Sequence, residues 1–456
     1  MSAELSYRGH GGALLTLAAP LIGGHLAQFA IQVTDTIMLG WYDVEALAAV
    51  VLAGSLFFTL FIVGAGFALA VMPIVAAAGE NGEGDGQIRR VTRMGMWISL
   101  IYVALALPPL VLAEPILLAM GQPSVVADQA GQYLQIAGWG ILPALGVMVL
   151  KSYLSALERA AVVLWVTILA AIVNAAVNYL LIFGTFGFPE LGIRGAAIAS
   201  LAVHVVSLVG LTVYAVRSFP QHALFVRFWR PDWPAFALVF RLGWPISLTN
   251  LSEVGLFSFS AVMVGWLGAI PLAAHGIALQ CASATFLVHL GLSNAVTIRT
   301  GKALGRRDFG DLARGGIVAV VLSAHFAMLT IAAFLIWPEE FLGLFIDPSD
   351  PARPQILALG TGLMAMAALF QLADGAQVLA HGMLRGIQDT RGPMLISAFA
   401  YWAVGLSVAY VLGFPMGFGA MGVWSGLVLG LVVAGIWLMH RFWSRSLPAL
   451  AARHAD

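Results

Sequence analysis

Three carboxylates lie inside stretches that are otherwise apolar: Asp35 in LAQFAIQVTDTIMLG, Glu253 in PISLTNLSEVGLFSF and Asp374 in MAALFQLADGAQVLA. An ionisable group at bilayer depth costs about 3 kcal/mol on insertion scales, so it normally faces a bundle interior or a wet cavity and marks an ion or substrate route. A carboxyl away from water can carry a proton near neutral pH, or hold Na⁺ when further oxygens join it. A set of such acids with almost no buried permanent cations is suited to holding something positively charged.

The neighbours of these acids are patterned. Gln28 and Gln32 precede Asp35 by seven and three residues, which puts all three on one helical face. Asn174 and Asn178, at i and i+4 in AAIVNAAVNYLL, share a face and could direct amides at Asp35. Phe370 and Gln377 flank Asp374 at minus four and plus three, so one face combines a ring, a carboxylate and an amide. Aromatic faces attract lipophilic ammonium compounds. Phe257 completes the supporting set. The competing reading makes each acid structural, satisfied by hydrogen bonds between helices.

Other chemistry is weakly signalled. His25, His204, His275, His289, His325 and His381 read as packing or interface residues, and neither H-E-x-x-H nor C-x-x-C occurs. RTGKALGRR lacks the Lys-Ser/Thr ending of a phosphate-binding loop. The sole cysteine, Cys281, reads as a small core residue. No catalytic residue and no resident cofactor is expected.

The elements that must position these groups follow from composition. The 456 residues are 61% hydrophobic and 10% charged, which no soluble globular class matches, and a net charge of +0 gives no case for nucleic-acid binding. Twelve apolar runs, from about 14–39 to about 419–440, predict an all-α polytopic membrane protein. The limits expected for span four are 131–150, for span eight 272–297 and for span eleven 393–412. Pro20, Pro73, Pro143 and Pro245 lie within or at the starts of runs. Of the 22 Lys and Arg, all but Arg194 and Arg353 fall on one side, which places both termini in the cytoplasm and makes the first run an uncleaved span.

The chain also resembles itself. One shift aligns Pro20 with Pro245, MLGW at Met38 with MVGW at Met263, and LAA at Leu47 with LAA at Leu272. A nearly equal shift brings Gly192 and Gly195 onto Gly419 and Gly422. Two pseudo-symmetric six-helix bundles are expected, 1–216 and 243–456, joined by a cytoplasmic linker at 217–242 and related by a two-fold axis along the membrane normal. The acids break this symmetry, since Asp35 aligns with Ser260 and Glu253 with Gln28.

The segments AQFAIQVTDTIMLG, VNAAVNYLLIFG with GFPELGIRGAA, NLSEVGLF, AVTIRTGKALG and QLADGAQVLAHGMLRGIQDTRGPM resemble, in order, those of the multidrug and toxic compound extrusion family, in its NorM-type bacterial branch. The last is the most specific: an Asp in span ten followed by a Gly-rich LRG-x-x-D-T turn. The resemblance implies an antiporter, not an enzyme, that exports lipophilic organic cations such as drugs and dyes in exchange for Na⁺ or H⁺. It further implies alternating access, a bacterial cytoplasmic (inner) membrane, and a monomer that works alone in the bilayer. By motif, Asp35 with Asn174 and Asn178 resembles the N-lobe polar site, and Glu253 with Asp374 the C-lobe cation site. The sequence departs at Phe370, where relatives can carry Tyr; the ring stays and an oxygen beside Asp374 is lost. A flippase of another amphipathic cargo would want an Arg-lined cavity. A membrane enzyme would want a metal cluster or an interfacial serine, and a receptor or channel suits the asymmetric acids less well.

Overall fold

The computed structural model describes residues 6–80 and 84–453. Among the described residues twelve helices are long and apolar enough to cross a membrane, and there is no strand. They run Tyr7–Tyr42, Glu45–Ala78, Gly84–Val111, Ser124–Ala156, Ala160–Ile182, Ile193–Ser218, Trp233–Trp266, Ala269–Arg306, Phe309–Ile336, Arg353–Gly386, Arg391–Gly413 and Gly419–Arg453, here spans one to twelve. In hydrocarbon every backbone N–H and C=O must be bonded internally, and a helix meets that demand within its own segment. Several helices outrun the apolar stretch that betrays them. Span eight extends to Arg306 because backbone hydrogen bonding continues where side chains become polar.

Local chemistry sets the helix starts. Asp43 caps span two by accepting from Ala46 N at 3.0 Å, Asp308 caps span nine from Asp311 N at 2.8 Å, and Asp232 accepts from Ala235 N at 3.1 Å at the start of span seven. Two spans depart from regular helix. Span four passes through a 3₁₀ turn at Gly138–Gly140, just ahead of Pro143, and span eleven is π-helical over Phe399–Leu406. The hydropathy pattern announces neither.

The chain divides into two compact units, Gly23–Ser247 and Met1–Ile22 with Leu248–Asp456. Spans one and seven thus each change unit two residues past a proline, Pro20 and Pro245, the pair that the internal repeat aligns. A proline inside a helix removes one backbone hydrogen bond and clashes with the preceding turn, so both helices carry a weak point near the change.

In the Gly23–Ser247 unit the start of span seven is fastened to span two. Ser247 Oγ donates to Val63 O at 2.6 Å, and Phe240 stacks on Phe67 with centroids 5.5 Å apart. In the two-segment unit the start of span one is held by spans eight and nine: Arg299 Nη2 lies 3.1 Å from His10 Nδ1, and His10 Nε2 3.3 Å from Asp311. A Cβ at Gly291 would lie 2.4 Å from Ile22 Cγ1, so only glycine permits that approach.

Spans eight and ten meet along small residues. Ser293 Oγ donates to Val378 O at 2.7 Å and Thr297 Oγ1 to Gly382 O at 2.9 Å, while a Cβ at Gly386 would fall 1.7 Å from Thr300 Oγ1. This seam fixes the height and rotation of span ten, which carries Asp374.

Candidate functional site

In the Gly23–Ser247 unit span five presents two amides to span one. Four-residue spacing stacks Asn174 over Asn178, and their Nδ2 groups donate to the same oxygen, Asp35 Oδ1, at 2.9 and 2.5 Å. Both asparagines are fully buried and Asp35 is half-buried. Neither amide oxygen has a partner among the described residues. Behind the pair, Tyr133 OH and Ser200 Oγ are hydrogen-bonded at 2.8 Å. Gln32 is exposed, and neither Gln28 nor Gln32 is a hydrogen-bond partner of Asp35.

In the other unit three spans, seven, ten and eleven, converge on one amide. Gln377 Nε2 donates to Glu253 Oε1 at 3.0 Å and to Asp374 Oδ1 at 3.2 Å, so span ten bridges its own acid to that of span seven. Tyr401, in the π-helical stretch of span eleven, donates its hydroxyl to Gln377 Oε1 at 2.6 Å. Asp374 is 1% exposed, and its Oδ2 has no partner among the described residues; nor has either polar atom of the fully buried Gln371. Phe370 lies edge-on to Phe257 at 5.9 Å and to Trp424 of span twelve at 6.3 Å. The Trp424 indole in turn donates to His275 Nδ1 at 3.0 Å.

Chemically these are two different sites. The first gives one carboxylate two amide donors and leaves amide oxygens unspent. The second holds two carboxylates across a shared NH₂ group, with an unpaired acid oxygen and a wall of rings. Among the described residues no group of three or more His, Cys, Asp or Glu side chains could hold a metal ion, so any metal ligand set would need amide, hydroxyl or backbone oxygens.

A model of the MatE family matches the chain twice, over residues 20–180 and 245–411. The matches begin at the two prolines that the internal repeat aligns, and together they take in all three acids.

The chain belongs to the MATE family.

Its relatives include proteins named "Probable multidrug resistance protein NorM" from Rhizobium meliloti (strain 1021), 49% identical over 96% of this chain and 94% of the relative, and from Agrobacterium fabrum, 44% identical over 96% and 94%. A solved structure described as MATE in the bent conformation superposes with a TM-score of 0.88 at 21% identity, covering 99% of this chain and 98% of that one. The likeness establishes the MATE fold.

Within this MATE chain, sequence reasoning named both acids of the Glu253 cluster, Gln377 and the two rings, and the structure brings them together. It did not name Tyr401, Trp424 or Gln371, and it set His275 aside as a packing residue. A polar tyrosine hydroxyl in the apolar run FAYWAVGL was the one signal available for Tyr401.

Proposed function

We propose that this MATE protein is a secondary antiporter of the bacterial cytoplasmic membrane that exports lipophilic organic cations against entry of H⁺, working as a monomer with both termini in the cytoplasm. The observation that carries the reading is the Glu253–Gln377–Asp374 bridge. It sets two acids beside rings in a chain whose relatives bear the name multidrug resistance protein.

A proton has a place to bind on Asp374 Oδ2, which has no partner. Taking it up removes a charge that is costly away from water. A bare Na⁺ between the acids would meet the Gln377 NH₂ group, and turning that amide would withdraw its donor from both Glu253 and Asp374. The Phe370 ring offers no oxygen. This arrangement favours H⁺ over Na⁺. An organic cation competes for the same negative charge, with Phe257, Phe370 and Trp424 supplying apolar and cation–π contact. Exchange follows when proton and cation favour different access states, since a ligand shifts an equilibrium only by its differential affinity. Asp35 with its asparagines supplies a second polar site for cargo or proton.

The test is ethidium efflux from proteoliposomes of purified protein, driven in turn by a pH gradient and by a Na⁺ gradient, with Asp374→Asn and Asp35→Asn alongside. Efflux on the pH gradient alone, lost in folded Asp374→Asn, is expected. Efflux on the Na⁺ gradient alone would reverse the choice of ion. Full-rate efflux by Asp374→Asn would remove the coupling role.

A further inference from the structure

A concave basic site lies away from all three acids, at the start of span three and the segment leading into span seven. Five guanidiniums, those of Arg89, Arg90, Arg93, Arg227 and Arg230, line a cavity of about 630 Å³ together with one carboxylate, Asp232. That volume is in the range of small-ligand pockets.

The carboxylate is already engaged. Arg90 donates to both of its oxygens, Nη2 to Oδ1 at 3.0 Å and Nε to Oδ2, and the Ala235 amide also binds Oδ1. Among the described residues Arg89, Arg93, Arg227 and Arg230 form no hydrogen bond or ion pair with a carboxylate, and five guanidiniums share the one anion, so the cavity carries net positive charge.

The arrangement is built rather than a loose fringe. Arg93 is 8% exposed, and its Nη1 donates to the carbonyls of Val226 and Arg227 at 3.2 and 3.0 Å. Trp97 Nε1 donates to Phe228 O at 2.9 Å. These bonds pin the 226–228 backbone to span three and hold Arg227 over the cavity. Arg93 Nε and Arg89 Nε remain buried without a partner. The positive-inside rule asks only that basic residues lie near span ends. It does not ask that one be buried, tethered by carbonyls and left with a spare donor.

We propose that this cavity binds a phosphate ester anion, the chemistry of an anionic phospholipid headgroup. Guanidinium forks match phosphate oxygens in pairs, and basic pockets beside membrane helices bind such headgroups. Two exposed apolar side chains line the cavity, Val226 and Trp233, the latter 65% exposed, and the exposed Trp229 lies between Arg227 and Arg230 in the chain. Tryptophans at headgroup depth favour a lipid over a soluble phosphate as the source.

The experiment is native mass spectrometry of the full chain titrated with phosphatidylglycerol or phosphatidylcholine, and separately with inorganic pyrophosphate. The variants are Arg227→Gln/Arg230→Gln and a charge-matched control, Arg445→Gln/Arg453→Gln, all four arginines being exposed. We expect retention of phosphatidylglycerol over phosphatidylcholine, weakened about ten-fold by the first pair and by less than about two-fold by the control. Pyrophosphate binding with the same variant dependence, without lipid selectivity, would support the site and assign it a soluble ligand. Equal retention of both lipids with no pyrophosphate binding, or equal losses in the two variants, would overturn it. Melting temperatures measured without lipid establish that the variants are folded.

Discussion

The Tyr401 hydroxyl donates to Gln377 Oε1 while the NH₂ of the same amide serves Glu253 and Asp374, so both ends of Gln377 are occupied. An amide has one accepting and one donating end, and each here meets a group of the complementary kind. Tyr401→Phe leaves a buried carbonyl unpaired, at a cost of about 1–3 kcal/mol. With the protein still folded, the pH profile of efflux is expected to move more than its maximal rate. An unchanged profile beside a lowered melting temperature would reduce Tyr401 to a packing role.

Asn174 and Asn178 share one acceptor oxygen, which makes their contributions interdependent. Either alanine substitution strips a donor from a carboxylate, an expected loss of about 1–3 kcal/mol. The double variant should lose less than the sum, because the pair acts on a single atom. Melting curves of the four proteins in one detergent give the coupling directly, and strict additivity would mean that Asp35 does not link them.

His222, outside the spans, is expected to make stability fall in acid. Tyr153 OH lies 2.5 Å from His222 Nδ1 and Asp85 Oδ1 3.2 Å from Nε2, which suits a neutral ring protonated at Nε2. Burial holds the imidazole below the ordinary histidine value, and Asp85 opposes that shift without cancelling it. With the folded value below the unfolded one, stability is fully present above about pH 6.5 and declines as pH drops and the unfolded chain takes up the proton. Thermal melts between pH 5 and 8 should slope accordingly, and His222→Gln should flatten the slope.

The seam between spans eight and ten predicts a contrast between two glycines. Gly386→Ala would drive a methyl group into Thr300 Oγ1 and the Thr297 carbonyl, so a destabilisation of about 1–3 kcal/mol or more is expected. Gly276, on span eight, has nothing within 4 Å of its would-be Cβ, and alanine there should be neutral or slightly stabilising. Melting temperatures of the two variants decide it; similar values would mean that the helices slide apart at little cost.

The spans and the acids were legible in the sequence because both signals are local. A long apolar run needs no partner to be recognised, and a carboxylate inside one is conspicuous by cost alone. Asn174 and Asn178 could be assigned to Asp35 because four-residue spacing fixes a common face. The rest depended on packing. Tyr401 reaches Gln377 from a different helix, through a π-helical turn whose register no hydropathy pattern encodes. Trp424 read as one apolar residue among many until Phe370 and His275 stood beside it. Arg93 counted only toward a charge bias, although its burial sets it apart from every other arginine in that tally.

Spans one and seven, which change compact unit just past Pro20 and Pro245, bear on how the polypeptide could be severed. A cut between 218 and 233 divides the sequence into its two repeats but not the fold into its two units. The fragment ending at Ser218 would keep Tyr7–Ile22, whose partners Gly291, Arg299 and Asp311 lie on the other fragment. The fragment starting at Trp233 would keep Phe240 and Ser247, whose partners Phe67 and Val63 lie on the first. Each piece would be born lacking what the other carries, so activity is expected from co-expression and not from either piece alone. The sequence repeats, but these reciprocal loans make its halves inseparable.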